Sequence, residues 1–130
     1  GTTKEHLVRA VLESIAYQSR EVFEAMVMDS GVPLRRLRVD GGASRSDMLM
    51  QFQADLIGLD VVRPDQIETT AAGAAMLAAL ATGVRGLGNE DADCAKCRVF
   101  HPAMSRERAN GLQTVWRKAV ERSRGWAEAE

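Results

Sequence analysis

A short apolar run, Leu37-Arg38-Val39, stops at Asp40-Gly41-Gly42, and a helical pattern follows at once. A buried strand feeding a paired-glycine turn and then a helix constrains the fold more than any other feature of this chain. It is the first half of a strand–helix–strand unit. Ser44 stands where it can cap the helix, whose apolar positions are Met48, Leu49, Phe52 and Leu56, with Gly58 closing it. Leu59-Asp60-Val61-Val62 predicts the returning strand, ended by Pro64. Thr69 or Thr70 then caps a third helix over residues 71–81, stopped by Gly83. Its Ala-Ala-Gly-Ala-Ala run has almost no side-chain bulk, so it can press closely against a sheet or another helix.

The flanks add helices. Thr2 and Glu5 stand at capping-box spacing, and behind them Val8, Val11, Leu12, Ile15, Ser19, Val22, Phe23 and Met26 recur at helical intervals. Ser30-Gly31 followed by Pro33 ends that first helix. Residues 84–99 show no clear period and read as a loop, with Arg98-Val99-Phe100 as a third, very short strand. Ser105 opens a last helix with Leu112, Val115, Trp116, Ala119 and Val120 on its buried face and Trp126 near its end. Strands alternating with helices predict an α/β fold, helices packed on a short parallel strand pair. Two short strands are too few for a stable sheet. Further strands are expected upstream, and the start at Gly1, without Met, reads as that of a piece cut from something longer.

Composition narrows the function. The 130 residues fit one domain. Seventeen Lys and Arg against eighteen Asp and Glu leave a net charge of -1, which argues against a nucleic-acid partner. The most apolar stretch, residues 71–81, is far shorter than the roughly 20 residues a membrane span requires. Two cysteines build no disulfide scaffold, so a reduced, cytoplasmic protein is the default expectation. Cys94-x-x-Cys97 with His101 begins like a zinc site, but a structural site wants four ligands and no second pair exists. No metal-binding residue is assigned.

The candidate site is Val39-Asp40-Gly41-Gly42-Ala43-Ser44-Arg45-Ser46. Glycines let a backbone approach a ligand with no Cβ in the way, and a helix start favours an anion. Ser44 and Ser46 add hydroxyls for a nucleotide. On local grounds alone a tight turn with an ordinary Ser cap is the better account, because a bare Gly-Gly is a weak signal. The stretch is neither a P-loop, which ends Gly-Lys-Ser/Thr, nor a Gly-x-Gly-x-x-Gly fingerprint.

Four stretches together carry more. They are His6-Leu7-Val8-Arg9-Ala10-Val11-Leu12-Glu13; Val39-Asp40-Gly41-Gly42-Ala43 with Leu49-Met50-Gln51-Phe52-Gln53-Ala54-Asp55; Glu68-Thr69-Thr70-Ala71-Ala72-Gly73-Ala74-Ala75; and Phe100-x-Pro102 with Trp116 and Trp126. In this order they resemble the C-terminal region of the FGGY family of carbohydrate kinases, and within it the members that phosphorylate glycerol. The resemblance implies the C-terminal part of an actin-like (ribonuclease-H-like) ATPase domain. Residues 1–130 would be the C-terminal portion of the second such domain, without its upstream strands and without the N-terminal domain.

The same resemblance implies ATP and Mg as nucleotide and metal of the full-length enzyme, with glycerol as phosphoryl acceptor. Gly42 is then the glycine whose backbone approaches ATP, beside Gly41. Ala43 lines the adenine side, and Ser46 stands near the adenosine where such kinases usually carry Asn. No residue here matches the family's catalytic Asp, so no catalytic residue is assigned. Asp40 matches a different position. The implied enzyme is cytoplasmic, with no nucleic-acid or membrane partner, and a homo-oligomer is compatible with it. Two alternatives stand beside it: a fragment of a pentulose-type kinase of the family, and a non-catalytic nucleotide-binding module.

Overall fold

The computed structural model describes residues 1–84 and 97–125. In chain order these form α1 (Lys4–Ser30), β1 (Arg36–Arg38), a 3-10 turn (Gly42–Arg45), α2 (Asp47–Ile57), β2 (Asp60–Pro64), α3 (Thr69–Ala81), β3 (Cys97–Phe100) and α4 (Arg106–Ser123). The sheet order is β1-β2-β3. β1 and β2 are parallel, Leu37 opposite Val61, and the Val39 amide extends the pairing by donating to the Val62 carbonyl at 3.1 Å. β3 joins antiparallel, Phe100 opposite Val61. The expected parallel pair is present, and the third strand makes the sheet mixed.

Several caps differ from those the sequence predicts. At α1 the cap is Thr3 rather than Thr2, and its amide donates to His6 Nδ1 at 3.1 Å. At α2 it is Ser46, whose hydroxyl accepts from the Leu49 amide at 3.3 Å; Ser44 lies one turn earlier, inside the 3-10 segment. At α3 neither Thr caps: the position belongs to Glu68, and the Thr69 hydroxyl is drawn instead to the Asp40 carboxylate. Gly31 and Ser105 take the roles expected of them.

Three helices share the core. Ala16 and Tyr17 of α1, Leu49, Ala54 and Leu56 of α2, and Ala109 of α4 are buried with Val61 and Phe100 of the sheet. Tyr17 stacks on Trp116 at 5.1 Å and meets Phe52 edge-on at 5.5 Å, so one aromatic chain ties α1, α2 and α4 together. The α1–α4 seam is polar. Buried Arg20 donates to the Ala109 carbonyl at 3.2 Å and the Asn110 side chain at 2.6 Å, and Glu24 accepts from Arg20 and Arg117.

The apolar face predicted for α1 is only partly buried. Leu12 packs against the core and Phe23 is half-buried, whereas Val8, Val11, Val22 and Met26 are exposed, because the packed arc turns toward Ala16, Tyr17 and Arg20. Val22, Met26 and Ile15 line instead an apolar groove of about 500 Å³ shared with Leu34 and Leu37. In α4, Ala109 and Gln113 are the buried positions while Val115 is exposed. Trp126 lies outside the described residues.

Candidate functional site: a glycine turn at the strand ends

The parallel strands β1 and β2 finish side by side, and the site forms beyond their C-terminal ends. That is where open α/β sheets hold ligands. Gly41 turns the chain with φ 75° and ψ 178°, a backbone that disfavours side chains, and its amide donates to the Ile67 carbonyl at 2.9 Å. Ser44 folds back onto the same residue: its amide and its hydroxyl both donate to the Gly41 carbonyl, at 3.2 and 2.7 Å. Ser44 is therefore buried and consumed by the turn, and it does not offer the nucleotide hydroxyl that the sequence predicts. Ser46 is half-buried; its oxygen caps α2, and its O–H remains a donor.

Gly42 and Ala43 are exposed on the outside of the turn. Gly42 does not have positive φ, and a Cβ added to it would meet nothing within 4 Å. Neither backbone conformation nor packing within the described residues calls for glycine at this position. What a Cβ would fill is open space in front of the turn. Beside it a cleft of about 470 Å³ runs between Val39 and Asp40, Val62 and Pro64, and Thr69 and Ala72 of α3.

The turn is gripped from two sides. From the α3 side come the Thr69–Asp40 hydrogen bond and the Arg45–Glu68 pair at 3.7 Å. From the sheet comes Arg63 of β2. It donates to the Ser44 carbonyl at 2.6 Å, pairs with Asp47 at 3.0 Å, and lies over the Phe100 ring at 5.3 Å. Arg98 of β3 completes the cluster, 2.7 Å from Asp47 and 5.0 Å over the same ring. Sequence reading missed both arginines, since nothing in their spacing marks them. Asp40, which sits beside the glycines, spends its carboxylate on Thr69.

The Leu49–Asp55 motif has a physical role here. The Asp55 carboxylate is buried and accepts from Gln51, from the Ala103 amide at 2.7 Å and from the Met104 amide at 3.2 Å. Gln51 also donates to the His101 carbonyl at 2.9 Å. Arg106 caps the far end of α2 on the carbonyls of Asp55 and Leu56, and a Cβ at Gly58 would collide with its guanidinium. Together these contacts dock the segment after β3 against α2, which carries the site.

Among the described residues no group of three His, Cys, Asp or Glu side chains could hold a metal ion. The described residues therefore offer no set of ligands that would hold Mg. Of the zinc-like trio, Cys94 lies outside the described residues and His101 is paired with Asp60 at 2.8 Å. No described helix is long and apolar enough to cross a membrane.

This arrangement of helices, mixed sheet and strand-end turn defines a class. Residues 1–82 match the model of the C-terminal domain of the FGGY family of carbohydrate kinases, and the chain belongs to that family. It is 54% identical over 131 residues to a glycerol kinase of Aeromonas salmonicida and 52% identical over 129 residues to one of Deinococcus radiodurans. These alignments take in 100% and 98% of this chain but 26% of each relative, so the chain spans about a quarter of their length. Among solved structures it is similar to Plasmodium falciparum glycerol kinase with ADP, at TM-score 0.74 and 32% identity over 99% of this chain and 26% of that one. A Rhodospirillum rubrum xylulose kinase follows at TM-score 0.66 and 26% identity, covering 94% of this chain and 25% of that one. The fold is thus the α/β, actin-like ATPase fold of these sugar kinases.

Proposed function

We propose that residues 1–130 are the C-terminal, nucleotide-side portion of the second actin-like domain of a kinase that transfers the ATP γ-phosphoryl group to glycerol, giving glycerol 3-phosphate. The observation that carries this reading is Gly42: exposed, free of any internal need for glycine, and set at the ends of the parallel strands. Likeness to glycerol kinases along the whole chain supports the acceptor, and the weaker likeness to xylulose kinases makes a pentulose the second candidate.

In this reading the ATP phosphates approach the Gly42 backbone, Ala43 lies toward the adenine, and the Ser46 hydroxyl donates near the adenosine, with Gly41 setting the turn. Phosphoryl transfer depends mainly on positioning and electrostatic stabilisation, and this segment supplies the nucleotide half of that positioning. The general base must reach the acceptor hydroxyl by hydrogen bond; no residue of this chain is assigned that role. Mg would travel with the nucleotide and be held outside this segment. The cytoplasm, where ATP is abundant, is the proposed location.

ADP release measured with the complete kinase tests the proposal. Glycerol-dependent release well above that with D-xylulose is expected, and none from residues 1–130 alone. Preference for D-xylulose would move the acceptor to the second candidate. Glycerol-dependent turnover by residues 1–130 alone would overturn the division of labour.

A further inference from the structure

We infer that Arg63 is a positioning residue for the nucleotide: it holds the Gly41–Ser46 turn in its binding shape from beneath. This rests on the nucleotide reading of the turn given above. Arg63 is mostly buried, its side chain only 15% exposed, and it reaches the turn from the middle strand of the sheet. One guanidinium nitrogen serves two acceptors, the Ser44 carbonyl at 2.6 Å and Asp47 at 3.0 Å. The first belongs to the 3-10 segment and the second to the opening turn of α2, so a single rigid group fixes the angle between them. Phe100 forms the floor on which that group rests, at 5.3 Å. A charge-assisted hydrogen bond to a carbonyl is among the stronger polar contacts available to a turn. Lysine, with its point charge on a flexible stem, has no planar face to lie over Phe100.

Arg98 is the natural control. It shares Asp47 and the Phe100 ring with Arg63, but among the described residues it makes no bond to the turn carbonyl. Losing Arg98 therefore disturbs the same cluster and leaves the Ser44 carbonyl held. Any purely structural contribution of the cluster should appear in both variants.

In the complete kinase, Arg63→Met is expected to raise the KM for ATP about tenfold, the low end for loss of a hydrogen bond to a charged group. The KM for glycerol and kcat should stay within about twofold, as loss of uniform binding requires. Arg63→Lys should fall between Arg63→Met and the wild type, and Arg98→Met should stay within about twofold throughout. Hydrogen exchange of the amides of residues 41–46, without nucleotide, should quicken in Arg63→Met and not in Arg98→Met. If Arg63→Met does not fold, Arg63→Lys carries the same comparison with a smaller rise. Equal effects from Arg63 and Arg98 variants, or unchanged exchange at the turn, would overturn the inference. Exchange that quickens with no change in the KM for ATP would also overturn it. The wild type separates the underlying reading: if saturating ATP gives residues 41–46 no added protection, the nucleotide assignment itself fails, whatever Arg63 does to the turn.

Discussion

Helices α2 and α3 border the same glycine turn and are both predominantly apolar, yet they are packed in opposite ways. In α2 seven residues are buried, among them Leu56 at 0% exposure, and polar groups at both ends are spent on holding neighbours: Ser46 as cap, Asp55 as anchor of the segment after β3. In α3 no residue is buried, and Leu77 is 69% exposed. Its ties to the turn are made at its start, through Thr69. Gly73, in the middle of α3, has an ordinary backbone, and a Cβ there would meet nothing within 4 Å. Mid-helix glycine costs about 1 kcal/mol relative to alanine, and nothing described in this chain offsets that. The comparison teaches that apolarity alone does not locate a core. An apolar helix with no long side chains over much of its length suits close contact with another body, and Gly42 in the turn shares that character.

The contrast breaks or sharpens on stability first. Leu56→Ala should cost about 2–5 kcal/mol, the range for a buried leucine whose cavity collapses only in part. Leu77→Ala should stay within about 0.5 kcal/mol, as exposed substitutions do. Urea unfolding of the 130-residue chain measures both, and similar losses would show that α3 is packed after all.

Asp55→Ala is the next largest effect. It leaves two amides, of Ala103 and Met104, without their acceptor, which should cost about 1–3 kcal/mol. The same unfolding experiment reads it, and hydrogen exchange at 103–104 should quicken while α3 is unaffected. A cost near zero would mean that the motif does not dock the segment after β3.

Much of this was legible in advance. The strand, turn and helix around the glycines, the cap at Ser105 and the close of α1 at Gly31 follow from local chemistry. The cap of α2 was misplaced because Ser44 and Ser46 are equally good candidates in sequence; the choice depends on Gly41, whose carbonyl captures Ser44. Thr69 escaped for a similar reason, since its partner Asp40 is 29 residues away. The arginines at 63 and 98 were illegible because their roles depend on strand register: pairing of Arg63 with Arg98 puts both beside Phe100 and Asp47. The exposed half of α1 is invisible to periodicity, which reports that a face is apolar and not what covers it.

Ser46 offers a smaller test. Asparagine caps helices as well as serine does, so Ser46→Asn should keep α2 intact and leave ATP affinity unchanged or better by about 1 kcal/mol, one net hydrogen bond. A large loss measured by ATP titration of the complete kinase would place the adenosine elsewhere.

The smallest expected effect is on pH. Burial at the α1–α4 seam pushes the Glu24 carboxyl up, but hydrogen bonds and charge from Arg20 and Arg117 outweigh it and hold the group below its ordinary range. A carboxyl lowered in the folded state adds stability above its unfolded pKa and loses it as pH falls through the folded value. Acid unfolding should therefore begin at higher pH in Arg117→Met than in the wild type. The shift should be slight, because the pair is partly exposed. An unchanged acid midpoint would mean that the seam draws no stability from it.

The central claim is that the turn keeps a glycine at 42 for a ligand and not for the fold. Gly42→Val measures it most directly, by melting temperature and ATP kinetics of the complete kinase in parallel. The account predicts a nearly unchanged melting temperature, since a Cβ at this position enters open space, together with a strongly raised KM for ATP and a KM for glycerol close to the original. A lowered melting temperature with an unaltered KM for ATP would contradict it and make the turn merely structural.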